Sequence, residues 1–196
     1  MRNIAAAVLA AGLSTRFGDD KLLKKLRGKR VVDWVIDSLS PLDIRYKALV
    51  VKPGYERFFT SLEGFALLVN QSPWEGLSSS IRIAARWAEP MADGLLLLLG
   101  DQPLVSGNTL RRLLAMFLDG GYDVVAASRG REPMNPAIFS RKLFPELMKL
   151  AGDAGAKSVI LAHINNAGLI EVGEEELLDI DTPEDLEKAE RRLGRL

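Results

Sequence analysis

Apolar and polar positions follow two rhythms along this chain. Short runs that are apolar almost without interruption fall at residues 4–9, 48–51, 66–69, 95–99, 123–127 and 169–172. Several do not alternate, and continuous apolarity is what a strand covered on both faces requires. Between the runs lie stretches with helical spacing, at residues 31–39, 78–87, 109–118, 142–150, 156–164 and 183–193. Two have clear start signals. Ser106 stands ahead of the helix at 109, and Thr182-Pro183-Glu184-Asp185 supplies an N-cap, a proline at the first helical position and acids in the first turn. Strand–helix alternation predicts an α/β fold with a doubly wound, mostly parallel sheet and ligands at the carboxyl ends of its strands. No repeat, low-complexity tract or linker interrupts the pattern, so residues 1–196 are expected to form a single domain. The charged segment 129–135 reads as a loop inserted over the cleft. Glu174-Glu175-Glu176 and the basic residues Arg191, Arg192 and Arg195 read as solvated surface.

Composition narrows the chemistry. The net charge is zero, so no overall basic field draws nucleic acid, and an anionic ligand must be held by local groups. Absence of cysteine excludes disulfides, thiolate metal sites and cysteine nucleophiles, and the single His163 excludes a histidine-rich metal cluster. His163, set among apolar neighbours, reads as structural. The apolar run 4–11 imitates the core of a secretory signal, but its patterned continuation through Arg16, Asp19, Asp20 and Lys21 favours a first buried strand running into a glycine turn. The run 95–99 is far short of the ~20 residues that span a bilayer. The expectation is a cytoplasmic protein with no membrane partner.

Four motifs carry candidate chemistry. Leu9-Ala10-Ala11-Gly12-Leu13-Ser14-Thr15-Arg16-Phe17-Gly18-Asp19-Asp20-Lys21 leaves a strand through small residues and carries two cations among backbone N–H groups. Such N–H arrays bind anions; Arg16 can fork onto phosphate oxygens and Lys21 supplies a mobile point charge. It matches neither the Walker pattern nor the dinucleotide glycine pattern, and a plain strand-to-helix turn is the alternative. Leu99-Gly100-Asp101-Gln102-Pro103-Leu104 places Asp101 just past the most apolar strand, where a carboxylate can take magnesium or merely cap a turn. Leu178-Asp179-Ile180-Asp181 puts two carboxylates on one side of an extended segment; one could be a second metal ligand, while helix capping alone explains Thr182 to Asp185. Trp74-Glu75-Gly76-Leu77-Ser78-Ser79-Ser80-Ile81-Arg82 starts a helix with three serines, which serve as caps or as donors to a base or ribose.

Taken together, these blocks resemble the nucleotidyltransferases that mature the molybdenum cofactor. The likeness continues through Asn135-Pro136-Ala137-Ile138-Phe139, Leu143-Phe144-Pro145-Glu146-Leu147, Gly152-Asp153-Ala154-Gly155-Ala156-Lys157 and Asp179-Ile180-Asp181-Thr182-Pro183, covering the chain from Leu9 to about Leu186. The cytidylyltransferase branch is the most similar, because it carries Leu-Ala-Ala-Gly where the guanylyl branch tends to have Leu-Ala-Gly-Gly. The Asp-Thr-Pro-Glu-Asp block is shared with other sugar and isoprenoid nucleotidyltransferases.

The resemblance implies a Rossmann-like fold and a role for each matching position. Leu9, Ala10, Ala11 and Gly12 would border the nucleotide, Arg16 and Lys21 would hold its outer phosphates, and Ser79 and Ser80 would face base or ribose. Asp101 would bind Mg2+, with Asp181 as the second ligand ahead of Asp179. Asn135, Gly152, Asp153 and Lys157 would lie on the acceptor side. Met134 stands where relatives tend to have glycine, and Pro133 stiffens the same segment, so the acceptor side departs most from the pattern. Implied partners are CTP or another nucleoside triphosphate, a molybdopterin-type phosphate acceptor, and a molybdoenzyme that receives the product. A GTP-dependent enzyme, a sugar- or alditol-phosphate nucleotidyltransferase and a nucleotide-sensing module without turnover are the alternatives.

Overall fold

The computed structural model describes residues 2–13, 20–152 and 155–194. Its main sheet contains β1 (Ile4–Ala10), β4 (Tyr46–Val51), β5 (Phe65–Val69), β6 (Gly94–Leu99), β7 (Val124–Arg129), β8 (Glu132–Ser140) and β9 (Ala167–Glu171), while β2 (Lys25–Leu26) and β3 (Lys29–Arg30) form a separate hairpin. The seven strands lie in the order β5-β4-β1-β6-β8-β7-β9. Only β8 is antiparallel to its neighbours. The helices are α1 (Val31–Ser38), α2 (Leu77–Ala88), α3 (Gly107–Gly120), α4 (Phe144–Leu147), α5 (Lys157–Ala162) and α6 (Pro183–Leu193). Among the described residues no helix is long and apolar enough to cross a membrane.

The continuous apolarity of the central strands has the expected cause. Successive side chains of β1 point to opposite faces. Ala6 and Val8 join a core with Leu49, Leu96, Leu98 and residues of α1 and α3. Ala5, Ala7 and Leu9 join another with Ala48, Leu95, Leu97 and residues of α2, α4 and α5. Both faces are covered by helices, so neither tolerates a polar residue. The predicted start signals also hold: the Ser106 side chain accepts from Thr109 N at the head of α3, and Thr182 and Asp185 form a reciprocal capping box on α6.

Several expectations are corrected. Residues 129–135 are not a loop inserted over the cleft. They contain the end of β7, a tight reversal at Gly130 (φ +58°) and the beginning of β8. Pro133, Asn135 and Pro136 hide the strand by breaking its pattern, and the register with β7 shifts between Ala126 and Ala127. Such bulges bend a strand and redirect its side chains. The stretch 142–150 resolves into a 3-10 turn, Arg141–Leu143, and the single short helix α4. Glu176 is not simply solvated surface: its carboxylate accepts from Ser106 N and Thr109 Oγ1 at the start of α3, and Glu175 pairs with Arg192. His163 bridges to Glu146 at 2.9 Å, in keeping with a structural role.

Candidate active site

The carboxyl ends of β1, β4, β5 and β6 all point the same way, because these strands are mutually parallel. Leu9 lies beside Leu99 in register, and the Gly100 amide donates to Leu9 O at 2.9 Å. A Cβ on Gly100 would stand 3.1 Å from that carbonyl and 3.2 Å from Ala10 Cβ, so glycine lets the two strand tips close together. The small residues after β1 and the Gly-Asp-Gln segment after β6 thereby become neighbours.

A cleft of about 350 Å³ opens over these tips, within the size range of small-molecule sites. Its walls include Leu9, Ala11, Gly12, Lys21, Ser80 and Asp101, along with Leu22, Trp74 and Leu77. An added Cβ at Gly12 would meet nothing within 4 Å, so the main chain there is open to a ligand. Ala10 is buried behind this wall. Ser79 is also buried; its hydroxyl donates to Gly76 O and receives the Asn70 amide.

Lys21 and the two predicted carboxylates converge. Lys21 sits on a 3-10 turn, and its Nζ lies 2.6 Å from Asp101 Oδ2 and 2.8 Å from Asp181 Oδ1. The distant segment is tied in by its backbone, since the Ile180 amide donates to Asp101 O at 2.9 Å. Ile180 is fully buried against Leu26, Val31 and Ala189, which leaves its flanking acids facing the site. Burial works against the Lys21 charge, yet Asp101 and then Asp181 outweigh it and hold the ammonium above the ordinary lysine pKa. Two carboxylate oxygens aimed at one cation suit a divalent ion that completes its shell with phosphates and water. Among the described residues no group of three or more His, Cys, Asp or Glu side chains forms a self-sufficient metal cage.

A second cleft, of about 170 Å³, lies beside the first and shares Leu99 with it. Asn135 and Lys157 line it, together with Gln102, Glu132, Met134 and Asp179. Lys157 pairs with Glu132 across this cleft. Asp179 faces Gln102, which hydrogen-bonds to it; burial, followed by the charges of Asp101 and Asp181, pushes its carboxyl up to about 6. Asp179 Oδ1 and Gln102 Oε1 are buried without a hydrogen-bond partner. Gly152 occupies an exposed left-handed turn (φ +62°) and lines neither cleft. Arg16 and Asp153 lie outside the described residues.

Sequence reasoning assigned no role to Asn70 or Gln102. Asn70 is buried at the tip of β5; its side-chain amide donates to Ser79 Oγ (2.7 Å) and Ser80 Oγ (3.0 Å), and its carbonyl accepts from Ser72 N (2.9 Å). The available signal was positional: a polar residue at the carboxyl end of a parallel strand, as at Asp101.

Residues 6–167 match the MobA-like NTP transferase domain. The chain belongs to the MobA-like NTP transferase family. Similar family relatives include the purine catabolism protein PucB of Bacillus subtilis, 30% identical with 95% of both chains covered. A "Probable molybdenum cofactor guanylyltransferase" of Natranaerobius thermophilus is 25% identical over 98% of each. Among solved structures, Rv0371c of Mycobacterium tuberculosis superposes with a TM-score of 0.84 at 27% identity, covering 97% of this chain and 98% of that one. A second structure of that protein is a complex with manganese, at 26% identity, a TM-score of 0.78 and coverage of 96% and 98%. This MobA-like chain is therefore a nucleotidyltransferase by family, with the α/β architecture its sequence predicted.

Proposed function

We propose that this chain transfers CMP from CTP to the terminal phosphate of the molybdenum cofactor and releases pyrophosphate. The observation that carries the reading is the convergence of Lys21, Asp101 and Asp181 beside two clefts that meet at the tip of β6. One cleft can take a nucleoside triphosphate and the other a phosphorylated acceptor. The match to a relative named as a molybdenum cofactor guanylyltransferase supports the acceptor class. Ala11, in place of the second glycine of the guanylyl pattern, supports CTP.

In this reading an acceptor phosphate oxygen attacks the α-phosphorus of CTP, and the bond to the β-phosphate oxygen breaks with its electron pair leaving on pyrophosphate. Among so many anions, the protein's task is positioning and charge neutralisation. Ala11 and Gly12 present main chain to the nucleotide, and Arg16 and Lys21 neutralise the leaving pyrophosphate. Asp101 and Asp181 would hold Mg2+, which would supply charge neutralisation for the triphosphate oxygens. Ser80 meets base or ribose, while Ser79, through Asn70, positions the helix start. Asn135 and Lys157 hold the acceptor, and Gly152 and Asp153 are assigned to the acceptor by the resemblance alone. No protein nucleophile or general base is required, because a phosphate acceptor is ionised at neutral pH.

GTP as donor is the second reading, favoured by the name of the relative that matches 98% of the chain. A matrix of CTP and GTP against molybdenum cofactor and sugar phosphates, read by pyrophosphate release, tests both. The expected result is turnover with CTP and the cofactor. Turnover confined to GTP or to a sugar phosphate overturns the proposal.

A further inference from the structure

Trp74 is the most exposed large apolar side chain among the described residues, at 70%, and it stands on the rim of the 350 Å³ cleft. Its neighbourhood is not loose. The turn Pro73–Glu75 is anchored ahead by Ser72 N on Asn70 Oδ1 and behind by Ser79 and Ser80 on the same buried amide. Gly76 (φ +82°) reverses the chain into α2, a conformation that favours glycine, and Glu75 pairs with Arg82. A fixed backbone therefore displays an indole that the fold itself leaves largely uncovered.

The cleft is chemically divided. Lys21 and Asp101 mark its charged end, at the tips of β1 and β6. Trp74 and Pro73 follow β5, which is three strand positions from β6, roughly 14 Å at ~4.8 Å per position. Leu13, itself 48% exposed, adds apolar surface to the same wall. A ligand with a polyanion at one end and a flat aromatic ring at the other fits this division in only one orientation.

We infer that Trp74 is the stacking platform for the base of the donor nucleoside triphosphate, and that it sets nucleotide affinity more than the rate of transfer. The inference rests on the donor-site reading of this cleft. Stacking is available to any base, so the platform anchors the ring while edge contacts choose among bases. It acts alike in the ground and transition states, and its loss raises KM with little change in kcat.

The test uses the whole chain, with CTP and magnesium as one probe and inorganic tripolyphosphate, which has no base, as the other. CTP is expected to quench the intrinsic fluorescence and tripolyphosphate is not. Trp74→Leu is expected to abolish the quench and weaken CTP binding about 10-fold, while tripolyphosphate affinity stays put; Trp74→Phe retains most of the CTP affinity. The exposure of the side chain makes both variants compatible with folding, checked by circular dichroism. Wild-type CTP affinity in Trp74→Leu, or a quench that persists there, overturns the platform and leaves the donor site standing. Failure of CTP to bind the wild-type chain overturns both.

Discussion

Lys21 Nζ lies 2.6 Å from Asp101 Oδ2 while also lying 2.8 Å from Asp181 Oδ1, so one ammonium joins carboxylates 80 and 160 residues distant from it. It neutralises two acids that would otherwise repel. In the proposed function a divalent ion between the acids would compete with the ammonium for the same oxygens, so binding would redistribute these contacts.

Lys21→Met should therefore expose the repulsion. In EDTA the variant is expected to lose roughly 1–2 kcal/mol of stability, below the cost of breaking a fully buried pair because Asp181 is partly exposed. Millimolar magnesium should raise the melting temperature of Lys21→Met more than that of the wild type. Equal melting temperatures for the two proteins in EDTA would show that the ammonium is not stabilising the acids.

Asp101→Ala should fold and fail to turn over, with a loss of at least ~100-fold in kcat, on the scale of other groups that stabilise transition-state charge. The side chain is at the surface of the cleft, and the Asp101 carbonyl that anchors Ile180 is main chain and survives the substitution. A folded variant with near-normal activity removes the carboxylate from the mechanism.

The sequence made the central sheet legible because its strands are buried on both faces, and the site legible where acids and small residues follow those strands. Ala11, Gly12, Lys21, Ser80 and Asp101 share one cleft as their positions implied. What escaped had local reasons. The strand Glu132–Ser140 contains two prolines and a bulge, so neither period nor propensity announces it. The hairpin Lys25–Leu26 with Lys29–Arg30 has strands of two residues, and its Arg27-Gly28 turn, with φ +53° and +82°, is the only local cue. That Asp181 meets Lys21 while Asp179 faces Gln102 depends on the Ile180 amide on Asp101 O, a long-range contact that spacing cannot reveal.

Asn70→Ala should damage the donor cleft through its framework. The substitution removes one buried amide that serves Ser72, Ser79 and Ser80, and hydroxyls and a backbone N–H lose their partner. The expected cost is about 2–3 kcal/mol in a urea melt, as for several hydrogen bonds lost in a buried setting. Ser79→Ala, which leaves Asn70 its other two contacts, should cost less; an equal or larger cost would mean that the amide is not the hub.

Asp179 gives a signed pH effect in metal-free protein. Its folded pKa of about 6 exceeds the unfolded value of ~3.9, so the native state binds the proton more tightly. Its stabilising contribution is complete below about pH 4 and is lost as pH rises through 6. Two units correspond to about 2.7 kcal/mol at most, and partial solvent access reduces this to roughly 1–2. Asp179→Asn should accordingly melt above the wild type at pH 8 in EDTA and lose that advantage at pH 4. An unchanged difference across this range would place the proton elsewhere.

In the proposed function the nucleotide choice turns on Ala11, which is 3% exposed and lines the larger cleft beside Gly12. On that reading its methyl group would narrow the space beside the base, and a purine would suffer more from that than a pyrimidine. One methyl alone discriminates by only ~1–3 kcal/mol, or about 10–200-fold. Hydrogen bonds to the base edge must add to it, and Ser80, held by Asn70 at 3.0 Å, is placed to donate one. A site built on such bonds rejects the wrong partner more strongly than shape does, because its own polar groups are left unpaired. The expected outcome is kcat/KM for CTP above that for GTP in the wild type, with the gap reduced in Ala11→Gly by gain of GTP activity more than loss of CTP activity. The comparison requires one pterin acceptor throughout. GTP equal to CTP or better in the wild type reverses the cytidylyl assignment and leaves the transferase reading intact; an unchanged ratio in Ala11→Gly moves the selectivity away from this methyl group.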